Sequence, residues 1–146
     1  MPTYTVKYSN INFNVKKKTK IAKGITKTHS KVTGANSFFA QVIFEQNKKQ
    51  SHFMGGKIIK TKQIFLYGQI RAGRTVEIKN KLITDLRNSV IKNSGINRDN
   101  VWVYIQELSP EQMIEYGEIL PKSGEENVWF NSLSASLKKR LNKMDK

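Results

Sequence analysis

The residue with the most unusual chemistry in this chain is Pro2, which leads straight into the alternating stretch Thr3 to Tyr8. Proline has no amide hydrogen for a sheet ladder and fits best as a strand's first residue. Behind Met1 it also stands in the context in which an initiator methionine is trimmed. Pro2 would then carry a rigid secondary amine with an ordinary α-amino pKa of about 7.7 to 8.0, able to act as acid or base near neutrality. The plainer alternative is an edge-strand start. A second centre is Arg71-Ala72-Gly73-Arg74-Thr75, between a predicted strand and a helix start. Two guanidiniums beside a helix N-terminus suit a carboxylate or phosphate, and Gly73 lets the backbone approach a ligand; the alternative is arginines that face solvent or brace the helix. Tyr104 shares a strand face with Trp102, opposite the aliphatic face of Val101, Val103 and Ile105, so interface packing is its simplest role. Glu115 is a lone acid among Met113, Ile114 and Tyr116, and surface exposure is the usual outcome for such a residue.

The elements that must hold these groups follow from periodicity. Thr3 to Tyr8 reads as a strand and Asn10 to Asn14 as a turn. Val15, Ile21, Ala22, Ile25 and Val32 form one helical stripe, which also takes in His29, and Gly34 closes the helix. Phe38 to Phe44 reads as the next strand. Polar residues from Glu45 to Lys62, with Gly55-Gly56 in the middle, read as a loop and a candidate lid, in which His52 is a possible substrate contact or simply an exposed histidine. The pattern then restarts: a strand from Ile64 to Ile70, Thr75 as N-cap, a helix from Val76 to Lys92, Gly95 as its stop and a strand from Val101 to Gln106. Ser109 to Met113 reads as a turn or short helical piece, Glu115-Tyr116-Gly117 as a turn or small strand, and Ser134 to Lys143 as a basic helix.

Sliding Val15 onto Val76 lays Ile21 on Leu82, Ala22 on Ile83, Ile25 on Leu86 and Gly34 on Gly95, so the chain is an internal duplication at the level of pattern. The mismatches carry the chemistry. Pro2 falls on Gln63 and His29 on Val90, while Arg71 and Arg74 fall on Asn10 and Phe13. Two copies of one scaffold have divided the polar equipment between them. The expected organisation is one domain over 1–146: a first β-α-β unit at about 2–45, a loop at 46–62, a second unit at about 63–107 and an extension at 108–146.

Composition narrows the classes. The 146 residues suffice for one core, and 38% hydrophobic content supports a folded α/β globule. No apolar run approaches the roughly eighteen residues of a membrane span, and no signal-like segment is present, so a cytoplasmic protein is expected. The absence of cysteine rules out disulfides, thiol catalysis and thiolate metal sites, and no metal or cofactor is expected. A net charge of +15 makes nucleic acid a rival partner. Yet the lysines are spread along the chain, there is no ribonucleoprotein or zinc-finger signature, and basicity equally serves the steering of small anions.

Taken together, the start at Pro2, the segment from His29 into Val32-Thr33-Gly34, and Gly68-Gln69-Ile70-Arg71-Ala72-Gly73-Arg74 resemble the tautomerase superfamily, specifically its cis-3-chloroacrylic acid dehalogenase group. The likeness continues through Val101-Trp102-Val103-Tyr104, Gln112 to Gly117, and Leu120-Pro121 into Gly124. It implies a homotrimer of fused, pseudo-symmetric β-α-β pairs with sites near the subunit interfaces. It implies Pro2 as the catalytic amine, with Arg71, Arg74 and His29 holding a small substrate carboxylate. Glu115, assisted by a neighbouring subunit's Tyr104, would activate a water. Two chemistries stay open: hydration or hydrolytic dehalogenation with Pro2 as acid, and keto-enol tautomerisation with Pro2 as base. Nearby arginines lower the amine's pKa and Glu115 raises it. A catalytically idle basic binding protein is the alternative from another class.

Overall fold

The computed structural model describes residues 2–145; the expected removal of Met1 concerns a residue outside that range. Strands β1 (Thr3–Ser9), β2 (Gln41–Gln46), β5 (Gln63–Arg71) and β6 (Val101–Leu108) form one sheet in the order β2-β1-β5-β6. Each half is a β-α-β unit: β1 and β2 are parallel and joined by α1 (Val15–Thr33), and β5 and β6 are parallel and joined by α2 (Val76–Ser94). The halves meet through antiparallel β1 and β5, with Thr3 opposite Gln69 and Ser9 opposite Gln63.

Local chemistry sets both helices. The Asn14 side chain accepts from the Lys17 amide at 2.8 Å to start α1, and Thr75 Oγ1 accepts from the Ile78 amide at 3.3 Å to start α2. Gly34 and Gly95 end them in the left-handed conformation, with φ 76° and 77°. Ile21, Ile25 and His29 of α1, and Leu82, Leu86 and Val90 of α2, are the buried stripes in the register of the sequence repeat. They cover the sheet face formed by Tyr4, Val6, Ile64, Leu66 and Ile70. Each fully buried aliphatic side chain there contributes about 1.5 to 3 kcal/mol. The other face stays open, leaving Ile43, Trp102 and Tyr104 exposed.

Two segments differ from their sequence patterns. The strand expected from Phe38 begins only at Gln41, because Ser37–Phe39 form a single 3-10 turn. Phe38 and Phe39 are both buried in one cluster, which consecutive residues of a strand could not be. The expected loop after β2 contains the hairpin β3 (Phe53–Met54) and β4 (Lys57–Ile58), turned by Gly55-Gly56 at φ 58° and 75°. This hairpin is no lid over Pro2 within one chain. It is fastened at the far end of β1, where Ser9 Oγ lies 2.8 Å from His52 Nδ1 and Asn10 Nδ2 donates to the carbonyls of Ile59 and Thr61.

The extension folds as a hairpin, β7 (Ile114–Glu115) and β8 (Glu118–Ile119), then α3 (Glu126–Ser132) and α4 (Ala135–Met144). Its core of Leu120, Trp129, Leu133 and Leu141 closes on Phe38 and Phe39. Among the described residues no helix is long and apolar enough to cross a membrane.

Candidate functional site

The strand directions gather the starts of β1 and β2 and the ends of β5 and β6 at one end of the sheet. Pro2 stands there, buried, its carbonyl accepting from the Gln41 amide at 3.0 Å. Glu115 reaches the same end on β7 and lines a cleft of about 610 Å³ with Thr3, Gln41, Leu108, Met113 and Tyr116. The cleft wall hangs from two points: Tyr116 donates its hydroxyl hydrogen to the Phe38 carbonyl, and the Leu120 amide donates to the Met113 carbonyl at 3.0 Å.

Behind Pro2 lies a buried polar pair. Tyr4, on the helix side of β1, places its hydroxyl 2.7 Å from His29 Nδ1, the rings meeting edge to face at 5.7 Å between centroids. Burial, reinforced by the positive charge of Arg74, drops the His29 pKa to about 3, so the imidazole is neutral. Burial also raises the Tyr4 pKa and keeps its phenol protonated. Among the described residues His29 Nε2 is buried with no hydrogen-bond partner. Tyr4 was not anticipated as part of the site; its alternation in β1 marked it only as core.

The two arginines have different situations. Arg71 is the last residue of β5, is 2% exposed, and turns inward. Its Nη1 donates to the Pro121 carbonyl at 2.6 Å and to that of Lys122 at 3.3 Å, and its Nη2 pairs with the Glu126 carboxylate. Among the described residues its Nε is buried without a hydrogen-bond partner. Burial raises the Glu126 pKa, but the Arg71 contact and the Gly124 amide outweigh it and hold the carboxyl below its ordinary value. Arg74 sits in the loop before α2 and donates from Nη1 to the Arg71 carbonyl at 3.0 Å. Among the described residues it has no ion-pair partner. Burial, then the charge of Arg71, lowers its pKa, while Tyr4, Glu126 and Glu107 work the other way. Glu126 was invisible as a site residue in the sequence, because its partner lies on a distant strand end.

Tyr104 does not join this group within one chain. It lies on the open sheet face, 53% exposed, edge to face with Phe65 at 4.9 Å. His52 stands at the opposite end of β1 from Pro2.

Comparison with known proteins agrees with this architecture. The family model Tautomerase_3, described as an oxalocrotonate tautomerase enzyme, matches residues 1–132. The crystal structure of N1, a member of the cis-3-chloroacrylic acid dehalogenase family, is 28% identical and superposes with a TM-score of 0.91 over 97% of this chain and 99% of that one. A fused 4-OT symmetric trimer is 19% identical, with a TM-score of 0.73 over 81% of this chain and 94% of that one. Pt0534, inactivated by 2-oxo-3-pentynoate, is 20% identical, with a TM-score of 0.74 over 83% and 97%. At these lower identities the likeness shows the fold alone. No curated protein sequence matches the chain.

Proposed function

The chain belongs to the oxalocrotonate tautomerase-like family, and it is an enzyme of the isomerase or dehalogenase type; from that premise we propose that it adds water to, or hydrolytically dehalogenates, small unsaturated carboxylates such as cis-3-chloroacrylate. The observation that carries this reading is Arg74: a part-buried guanidinium with no ion-pair partner among the described residues, close enough to His29 and Tyr4 for its charge to act on both.

In this reading the substrate carboxylate docks on Arg74, with Arg71 behind it. With Tyr4 as donor to Nδ1, His29 carries its hydrogen on Nε2 and offers it to a carboxylate oxygen. Glu115 takes a proton from water as the oxygen bonds to the β-carbon, and the amine of Pro2 delivers a proton to the α-carbon. The guanidinium stabilises the charge that builds on the carboxylate in between. With chlorine on the β-carbon the adduct loses chloride and the hydroxyl proton to become an aldehyde; without it the product is the hydrate. Tyr104 reaches the water from a neighbouring subunit of a homotrimer whose contacts cover the open sheet face.

Keto-enol tautomerisation of an α-keto acid is the second reading, favoured by one observation: Pro2 and Arg74 need no neighbour, whereas Tyr104 lies on the opposite sheet face. A proton NMR time course with cis-3-chloroacrylate, beside an absorbance assay with phenylenolpyruvate, tests both. The protein must be verified by mass to begin at Pro2, with Pro2→Ala as control. Loss of the vinyl signals only with the intact amine supports hydration. Conversion of the enol alone supports tautomerisation. Conversion of neither would leave the idle binding protein.

A further inference from the structure

The internal repeat runs beyond the two β-α-β units. The slide that lays Val15 on Val76 also lays β3–β4 on β7–β8, with Met54 on Glu115, and the two hairpins pair in the same register. Their turns match, Gly55-Gly56 at φ 58° and 75° against Tyr116-Gly117 at 56° and 86°. Their closing bonds match too: the Ile59 amide donates to the His52 carbonyl at 3.1 Å, as the Leu120 amide does to Met113 at 3.0 Å. Asn10 stands where Arg71 stands, donating to the Thr61 carbonyl at 2.8 Å as Arg71 donates to that of Lys122 at 3.3 Å. The result is a second cleft, of about 560 Å³, at the opposite end of β1 from Pro2. Its hairpin, Asn47 and Trp102 wall it as β7–β8, Leu108 and Gln41 wall the first.

The chemistry of the second cleft is different. Gln63 replaces Pro2 and Met54 replaces Glu115, so the lining has neither an N-terminal amine nor a carboxylate. Its one lysine, Lys7, is paired with Glu45 at 3.6 Å. Phe53, Met54, Phe65 and Trp102 make the walls largely apolar. Against them stands Gln63, 3% exposed, whose side-chain amide makes no hydrogen bond among the described residues. An amide so placed is costly until a partner reaches it. His52 adds a donor: the Ser9 hydroxyl accepts from Asn47 Nδ2 at 2.8 Å, so its own hydrogen goes to His52 Nδ1 at 2.8 Å and the imidazole carries its hydrogen on Nε2. We propose that this cleft binds, without converting, an uncharged planar ring that carries a carboxamide. The ring lies among Phe53, Phe65 and Trp102, and the carboxamide pairs with the Gln63 amide, each donating to the other. Pro2 and Arg74 take no part, and Tyr104, given above to a neighbouring subunit's site, is not required.

Benzamide, benzoate and cyclohexanecarboxamide separate the contributions of ring, charge and amide. Each is titrated into wild-type protein beginning at Pro2 while nitrogen–proton NMR follows the Gln63 side-chain amide and the Trp102 indole. The Trp129 indole, bonded to the Ile119 carbonyl at 2.9 Å, should stay still. Benzamide is expected to shift both cleft signals, benzoate to need at least about tenfold more ligand, and cyclohexanecarboxamide about fivefold more. Gln63→Leu should weaken benzamide about tenfold at the Trp102 signal. Trp102→Ala, at an exposed position, should weaken it comparably at the Gln63 amide. Arg74→Ala should bind benzamide as the wild type does. No shift with benzamide, an equal response to benzoate, or unchanged affinity in Gln63→Leu overturns the proposal. Loss of benzamide in Arg74→Ala would place the probe in the Pro2 cleft and overturn it too. A response in Tyr104→Glu but not in the wild type would make the cleft an interface between copies of this chain, and the proposal would again fail.

Discussion

The Tyr4 ring occupies the space over Gly68, its partner across the β1–β5 register: a Cβ on Gly68 would stand 2.5 Å from Tyr4 Cε1. The absence of a side chain at 68 lets the Tyr4 hydroxyl reach His29 Nδ1. Gly68→Ala is expected to push the ring aside at a cost of about 1 to 3 kcal/mol, measured by urea denaturation, and to lower turnover by displacing His29. Unchanged stability would mean that the sheet absorbs the methyl group elsewhere.

Tyr4→Phe keeps the ring and removes only the hydroxyl. His29 Nδ1 would then be buried without its partner, and the expected loss is about 1 to 3 kcal/mol. Comparing Tyr4→Phe with the double variant Tyr4→Phe, His29→Leu checks this, since replacing both polar groups by apolar ones should recover part of the loss.

Folding stability should fall on acidification through the titration of His29. Its folded pKa, about 3, lies below the unfolded value of 6.5, so the unfolded state binds the proton first. The stabilisation is fully present above pH 6.5 and is lost progressively as the pH falls toward 3, at up to about 1.4 kcal/mol per pH unit. His29→Gln should flatten this slope in denaturation curves recorded from pH 7 to pH 4. The lowered pKa of Glu126 acts in the same sense below its own unfolded value.

The two arginines should respond oppositely to truncation. Arg71→Ala leaves Glu126 and two carbonyls without their donor and is expected to cost about 3 to 5 kcal/mol, with faster proteolysis of the segment after Leu108. Arg74→Ala gives up one bond, to the Arg71 carbonyl, and should leave the melting temperature within a few degrees while abolishing monocarboxylate binding. Equal stability losses would mean that Arg74 braces the fold as Arg71 does.

A substitution on the open sheet face tests assembly. Tyr104→Glu puts a charge among exposed aromatic residues and is expected to convert a trimer to monomers in light-scattering measurements, with loss of hydration activity. A monomeric wild type would leave Tyr104 without access to the site.

Local and periodic information was enough for the scaffold. Asn14, Thr75, Gly34 and Gly95 mark helix ends through short-range hydrogen bonds and backbone conformation, and the stripes Ile21-Ile25-His29 and Leu82-Leu86-Val90 repeat because each must bury one helix face. The same periodicity identified His29 as a buried polar exception, and the arginine pair and Pro2 were legible by type and position. What the sequence could not carry was partnership across distance. Whether Arg71 faces a ligand or a protein carboxylate depends on Glu126 arriving from α3, a helix too short to leave a periodic signal. Phe38 and Phe39 likewise read as strand until Trp129 and Leu120 supply a second core that takes both rings. Alternation and capping act within one turn or strand and can be read in order; the pairing of charges and the choice of core are settled only when remote segments share the same small volume.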